Sequence, residues 1–337
     1  MAVKNKIFDL LIREGRSALR GRVIFCLLET LKSFYAAASS LWLMSGKEFY
    51  QNRYQQLGYN LHEVELRQAI RINNTLAKGK NLIERLAGLG VHLEKIPFLQ
   101  SGYWVVDSKV SAGATAEYLL GLYSIQEAAA QIPVSLFSDL RGKRVLDCAA
   151  APGGKTVQLA DVMENTGGIV ALDVDKRRLA ALCNHLERCH IANTVVYLLD
   201  SRQAPALGLK FDRVLVDAPC SGNYAADRDW FKNRTLKDIE RNAATQREIL
   251  TKAVDCLSER GELVYSTCSL EPEEDELNMD WAVKHLNVEI QEINCYGNSG
   301  LTSVFGKQLD SSVARCRRIW PKETQGFFVC KLKRSKT

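Results

Sequence analysis

Two of the ten cysteines in this 337-residue chain stand in matching positions. Asp217-Ala218-Pro219-Cys220-Ser221-Gly222 follows one apolar, β-branched run, and Ser266-Thr267-Cys268-Ser269 follows another. A single cysteine is ordinarily a small buried hydrophobe, and that reading suffices for most of the other eight. Two at the ends of two strands of one sheet can do more. One can act as a thiolate nucleophile while a second group takes or returns a proton when product leaves. Cys183 and the pair Cys189-His190 are separated by a gap inside a helical stretch that makes a poor zinc site, so no metal is expected.

A glycine-rich loop is the second chemical feature. The run 144–147 ends in Asp147 and continues as Cys148-Ala149-Ala150-Ala151-Pro152-Gly153-Gly154-Lys155-Thr156. Small residues let a backbone approach a ligand closely, and a helix starting just beyond offers free N–H groups. The dinucleotide pattern G-x-G-x-x-G is absent, and the phosphate loop G-x-x-x-x-G-K-[ST] fails at its first glycine, where Ala149 stands. Asp173, nineteen residues after Gly154, ends the next run at the place where an acid holds ribose hydroxyls. Asp200 ends the third run, within reach of an adenine amino group, and Asp217 ends the fourth. One acid at a strand end is as readily a helix cap; four at successive strand–loop junctions call for a ligand. An adenosine-type ligand held through ribose and base, without a pyrophosphate cradle, points to S-adenosylmethionine.

These residues need a sheet to bring them together. From 140 onward, apolar runs at 144–147, 168–173, 194–198, 213–217 and 262–266 alternate with helical stretches near 156–164, 176–189, 236–259 and 273–286. Runs that are apolar nearly throughout imply burial on both faces, hence a doubly wound α/β domain with a parallel sheet, assigned to residues 131–337. Residues 46–130 read as a small α+β subdomain of RRM-like order, with a helix over 79–89 and strands at 69–73, 91–96 and 103–106, of the kind that offers a sheet face to RNA. Residues 1–45 read as a helical extension of unassigned role, and Met44 is a candidate start of the native chain.

Net charge is +6, and it is concentrated at the ends. Residues 311–337 hold eight basic side chains and one acid, and residues 1–22 hold six against two, which leaves the middle acidic. Basic ends suit a polyanion, and Arg315, Arg317, Arg318 and Lys322 beside Trp320 are candidates to grip phosphate and stack a base. Scattered cysteines imply a reducing cytoplasm rather than a disulfide framework. The apolar stretch 23–44 is interrupted by Glu29 and Lys32, so no membrane span is expected. The acids after Pro272, from Glu273 to Glu276, read as ordinary helix-start chemistry.

The cysteine pair fits methylation of a pyrimidine carbon, because C5 of cytosine is too weak a nucleophile until a thiolate adds at C6. Over residues 70–332 the chain resembles the Nop/Sun family of RNA cytosine-C5 methyltransferases, and archaeal-type tRNA methyltransferases most of all. The resemblance rests on Ala149 to Thr156, Asp217 to Gly222, Tyr265 to Ser269 with Pro272-Glu273-Glu274, and Gly326-Phe327-Phe328-Val329. It implies that Cys268 is the nucleophile and Cys220 assists release. It also implies that Asp217 and Lys155 approach the target base, and that Ala149 to Lys155 with Asp173, Asp200 and Asp217 bind S-adenosylmethionine. Transfer RNA is the expected substrate, ribosomal RNA the alternative, and a monomer the expected state. A non-catalytic RNA-binding factor on the same fold is the rival reading. Two departures stand out: Ala149 occupies a position usually held by cysteine, and Tyr224 to Trp230 replaces a more basic segment.

Overall fold

A computed structural model describes residues 46–335. The helical extension expected over 1–45 and the candidate start at Met44 lie outside the described residues. From Arg53 onward the chain packs as one compact unit.

After helix α1 (Lys47–Gln56) come β1 (Ala69–Ile72), α2 (Gly79–Gly88), β2 (Val91–Lys95), β3 (Gly102–Ser108) and β4 (Tyr123–Ile125). The four strands form an antiparallel sheet in the order β2-β3-β1-β4. Alternation along β1 turns Ile70 and Ile72 to one face, where Leu82 and Leu86, one turn apart on α2, close over them. Ala69 and Trp104 face the other way, into a core with Leu140, Val145 and Leu159. On that side Arg71 is buried too, paired with Asp161 at 3.2 Å. One face is thus covered by α2, and the other is covered over β1 and the start of β3, while His92 and Glu94 on β2 and Val106 and Asp107 on β3 stay exposed.

The larger sheet contains β5 (Arg144–Asp147), β6 (Gly168–Asp173), β7 (Thr194–Leu198), β8 (Phe211–Asp217), β9 (Leu257–Thr267), β10 (Val288–Gln291), β11 (Asn298–Ser299), β12 (Arg317–Ile319) and β13 (Phe327–Arg334). Helices α3 (Gly154–Val162), α4 (Lys176–Arg188), α5 (Leu236–Cys256) and α6 (Glu276–His285) connect its strands. The order is β11-β12-β13-β9-β8-β5-β6-β7, with β10 also pairing with β13. Strands β5 to β9 are parallel, as expected. The sheet as a whole is mixed, because β13 runs antiparallel to β9 and to β12. A short connection between β12 and β13 allows only an antiparallel pair, whereas parallel neighbours need a crossover.

Two further expectations are corrected. Strand β7 is not buried on both faces: it is the edge strand, and Val195, Tyr197 and Leu198 are 54%, 44% and 57% exposed. The acids after Pro272 do more than start a helix: Glu274, Asp275 and Glu276 are fully buried, Glu273 is partly exposed, and α6 begins only at Glu276 with no side-chain cap. No helix among the described residues is long and apolar enough to cross a membrane.

The chain leaves β5 toward β6 and β7 on one side, then returns to lay β8 and β9 on the other. The order thus reverses between β5 and β8, and the crevice beyond the carboxyl ends of these two strands is where such sheets hold ligands. Asp147 and Asp217 end these two neighbours.

Candidate active site

The loops after β8 and β9 lie side by side because their strands do, with Asp217 opposite Ser266 in the ladder. Three residues past Asp217 and two past Ser266, Cys220 and Cys268 bring their Sγ atoms to 3.0 Å. Both thiols are partly exposed. Asp217 faces the same place: Oδ1 accepts from the Ser266 hydroxyl at 2.7 Å, and Oδ2 accepts from Lys155 Nζ at 2.7 Å. Cys220, Cys268, Asp217 and Lys155 are therefore assembled by three separate segments of chain.

The two thiols are not equivalent. The Cys268 thiol is drawn below its ordinary value, chiefly by the hydrogen bond it shares with Cys220, with the Lys155 ammonium also favouring the thiolate against burial and Asp217. The same hydrogen bond holds Cys220 far above the usual thiol range, and burial and the Glu274 charge act the same way. Lys155 stays charged: burial pulls its ammonium down, but Asp217 outweighs this and the net shift is upward. The Lys155 ammonium beside Cys268 and the Glu274 charge beside Cys220 thus favour the thiolate at Cys268 over one at Cys220.

The glycine loop runs from the end of β5 into α3. Cys148 N–H and Ala150 N–H extend the sheet ladder by donating to Leu215 O and Leu172 O, both at 2.9 Å. The bond between Ala151 and Pro152 is cis, and Gly153 has φ +106°, where a Cβ would sit 2.9 Å from Leu182. Asp173 accepts from Ala151 N–H at 3.2 Å and Asp175 N–H at 3.0 Å, so it braces the loop. Asp200 caps the turn after β7 and is gripped by Arg202, whose guanidinium also reaches Glu248 at 2.8 Å. Arg202 holds the Asp200 carboxyl below its ordinary range. Both acids therefore do the capping work that a strand-end acid can do on its own.

S-adenosylmethionine brings hydrogen-bond donors and positive charge, and the donor set matches it. Asp147 is 1% exposed, its Oδ2 accepts from the Thr156 hydroxyl at 2.8 Å, and its Oδ1 has no partner among the described residues. Burial pushes its carboxyl up to about 7. With Asp173, Asp200 and Asp217, it makes four acids along the ends of β5 to β8, beside a loop whose alanines and glycines leave room for a ligand. These residues would hold the cofactor.

The sequence missed the residues that hold these loops. Asn223 Nδ2 donates to Cys268 O at 2.7 Å and Gly326 O at 3.2 Å, tying the two cysteine loops to the start of β13. Gln246 on α5 donates to Pro219 O at 2.9 Å. Asn223 stood in plain view as the continuation of the Pro-Cys motif, but nothing local names its partners.

The basic cluster near Trp320 is also corrected. Arg318 is fully buried, with Nε on Glu276 at 2.7 Å, an Nη on Asp275 at 3.1 Å and the other Nη on Leu270 O at 2.8 Å. Trp320 stacks on Tyr59 at 4.4 Å, with the Arg318 guanidinium over its ring at 4.8 Å. Arg317 pairs with Glu292 at 3.2 Å. Lys322 is exposed.

Comparison with known proteins agrees with this geometry. The family described as 16S rRNA methyltransferase RsmB/F matches residues 136–333. The chain belongs to this RsmB/F family. Residues 43–128 match the N-terminal domain of 16S rRNA methyltransferase RsmF. Among curated relatives, a 28S rRNA (cytosine-C(5))-methyltransferase of Mus musculus is 36% identical over 283 residues, covering 81% of this chain and 36% of its own. The ribosomal RNA small subunit methyltransferase F of Klebsiella pneumoniae is 35% identical, covering 80% and 58%. The chain thus spans between about a third and three-fifths of the length of these relatives. A solved methyltransferase homologue from Pyrococcus horikoshii superposes with a TM-score of 0.75 at 35% identity, over 84% of this chain and 90% of that one. NSun6 from the same organism, solved with SFG, shares the fold at a TM-score of 0.74 and 22% identity, over 87% and 98%.

Proposed function

We propose that this RsmB/F-family chain transfers a methyl group from S-adenosylmethionine to C5 of cytosine in RNA, with Cys268 as nucleophile and Cys220 as the residue that assists release. The observation that carries the proposal is the 3.0 Å approach of the two thiols beside the Lys155–Asp217 pair. The cofactor supplies an electrophilic methyl group. The Cys268 thiolate adds to C6 of the ring, forming an S–C bond and loading electron density onto C5, while a proton is taken up at N3. Asp217 is positioned to interact with the ring's N3 edge, and Lys155 offsets negative charge beside it. After C5 is methylated, the C5 proton and the proton taken up at N3 both pass to solvent at these partly exposed loops, the S–C6 bond breaks, and Cys268 leaves as the thiolate that Cys220 can again hydrogen-bond.

Ribosomal RNA is the proposed substrate class. The relatives at 35–36% identity carry ribosomal RNA methyltransferase names, and this weighs against the transfer RNA expected from the sequence. Residues 46–130 are proposed to orient the RNA through edges and loops, and residues 131–337 to carry the chemistry.

The test is incubation of the purified chain with S-adenosylmethionine and either ribosomal or transfer RNA, read by bisulfite sequencing. Cys268→Ser should abolish new 5-methylcytosine, and Cys220→Ser should leave a covalent protein–RNA adduct that survives a denaturing gel. Normal turnover by Cys220→Ser with nothing trapped would overturn the role assignment. Methylation of transfer RNA alone would overturn the substrate.

A further inference from the structure

Glu274 lies six residues after Cys268 and is fully buried, yet it does not cap the helix that follows it. It points instead between the two cysteine loops. Its carboxylate accepts from Ser221 N–H at 3.1 and 3.2 Å and from the Ser221 hydroxyl at 2.8 Å. The side chains of Ser269 and Asn242 also favour its ionised form against burial. Ser221 and Ser269, whose hydroxyls lie 3.2 Å apart, are the residues immediately after Cys220 and Cys268. One buried carboxylate thus clasps both loops directly behind the two thiols.

We propose that Glu274 is a positioning residue for the reaction proposed above: it locks the two cysteine loops in register and, through its charge, keeps the proton on Cys220. The groups facing Cys268 are Cys220, Asp217, Lys155 and Glu274, so a cation there opposes the two carboxylates. Cys220 is faced by Cys268 and Glu274 and by the Gly222 N–H, and the Arg234 guanidinium lies one residue away, donating from Nε to Ser221 O at 3.0 Å. Tyr265 packs nearby from β9, and burial holds its hydroxyl neutral. A negative charge behind both thiols therefore penalises ionisation of Cys220, while the Lys155 ammonium offsets it at Cys268. The division of labour between two chemically identical side chains follows from this asymmetry. Burial raises the Glu274 carboxyl, but the Ser221 N–H and hydroxyl donate to it, which favours the ionised form.

This inference rests on the proposed function, but its test needs no RNA, so the two can fail separately. In a Cys268→Ser background, the rate at which iodoacetamide alkylates Cys220 is followed against pH by mass spectrometry, with Glu274 intact and as Glu274→Gln. Removing the charge should move the profile to lower pH by about one unit, read as about tenfold faster alkylation at a fixed pH on the rising limb. An unmoved profile, with the variant folded by thermal melt, overturns the electrostatic role. The clasp is tested with both cysteines present by titrating phenylarsine oxide, which bridges two adjacent thiols. Glu274→Gln, which keeps an acceptor for Ser221, should bind it as the parent does, and Glu274→Ala should bind it at least several-fold more weakly. Parent-like binding by a folded Glu274→Ala protein overturns the positioning role.

Discussion

Replacing Arg318 with Met tests the buried charge network behind the cysteine loops. Methionine keeps much of the aliphatic stem and removes the guanidinium, which bonds Glu276, Asp275 and the Leu270 carbonyl. The side chains of Arg318, Asp275 and Glu276 are 1%, 0% and 0% exposed, so water cannot take over the lost contacts. Removing one member of a buried ion pair leaves an uncompensated charge and costs about 3–5 kcal/mol. Against a total stability of about 5–15 kcal/mol, that is about a fifth or more. The pH dependence gives an internal check. Burial already raises the Asp275 carboxyl well above its ordinary value, and Arg318 is the main influence lowering it. Without Arg318 it rises further, so the folded variant takes up a proton and the destabilisation shrinks as pH falls through that raised value. Urea unfolding at pH 8 and pH 5.5 should therefore show a large loss at the higher pH and a smaller one at the lower. A loss under about 1 kcal/mol at pH 8, or one that grows on acidification, would refute the reasoning. A folded variant with intact stability and weakened RNA binding would instead restore Arg318 to the phosphate-gripping role its sequence neighbourhood suggests.

Lys155→Met removes the cation that favours the Cys268 thiolate and leaves Asp217 unpaired beside it. The acidic limb of the methylation pH profile, and of Cys268 alkylation, should move up by about one unit; an unchanged profile would show that Lys155 serves only the loop. Glu262 is buried, which raises its carboxyl, but the Ser138 hydroxyl and N–H and the Lys331 ammonium overcome this and hold it at about 2. Its stabilising contribution is complete above the unfolded value near 4.5 and is lost as pH falls toward 2. Glu262→Gln should therefore be less stable than the parent at pH 7 in denaturant unfolding, and the two should converge near pH 2.

Much of this molecule was legible in its sequence because the relevant signals are local. Strands 144–147, 168–173 and 194–198 stand where their apolar runs put them, since alternation and β-branching act within a few residues. The same rule carried Asp147, Asp173, Asp200 and Asp217 to one edge, and Cys220 and Cys268 to neighbouring loops, because a parallel sheet aligns its carboxyl ends. Tertiary structure alone decided the rest. Arg318 looked like a surface base beside a tryptophan until Asp275 and Glu276, more than forty positions away, were folded around it. Glu274 looked like a helix-start acid until Ser221, fifty-three positions earlier, came into its reach. The β1–β4 sheet looked open until the Leu140 and Leu159 core covered its second face around Ala69 and Trp104. Pattern reveals which side of an element is apolar, but a charged side chain declares its role only through its partner. Partners that are distant in sequence meet only once the chain has folded.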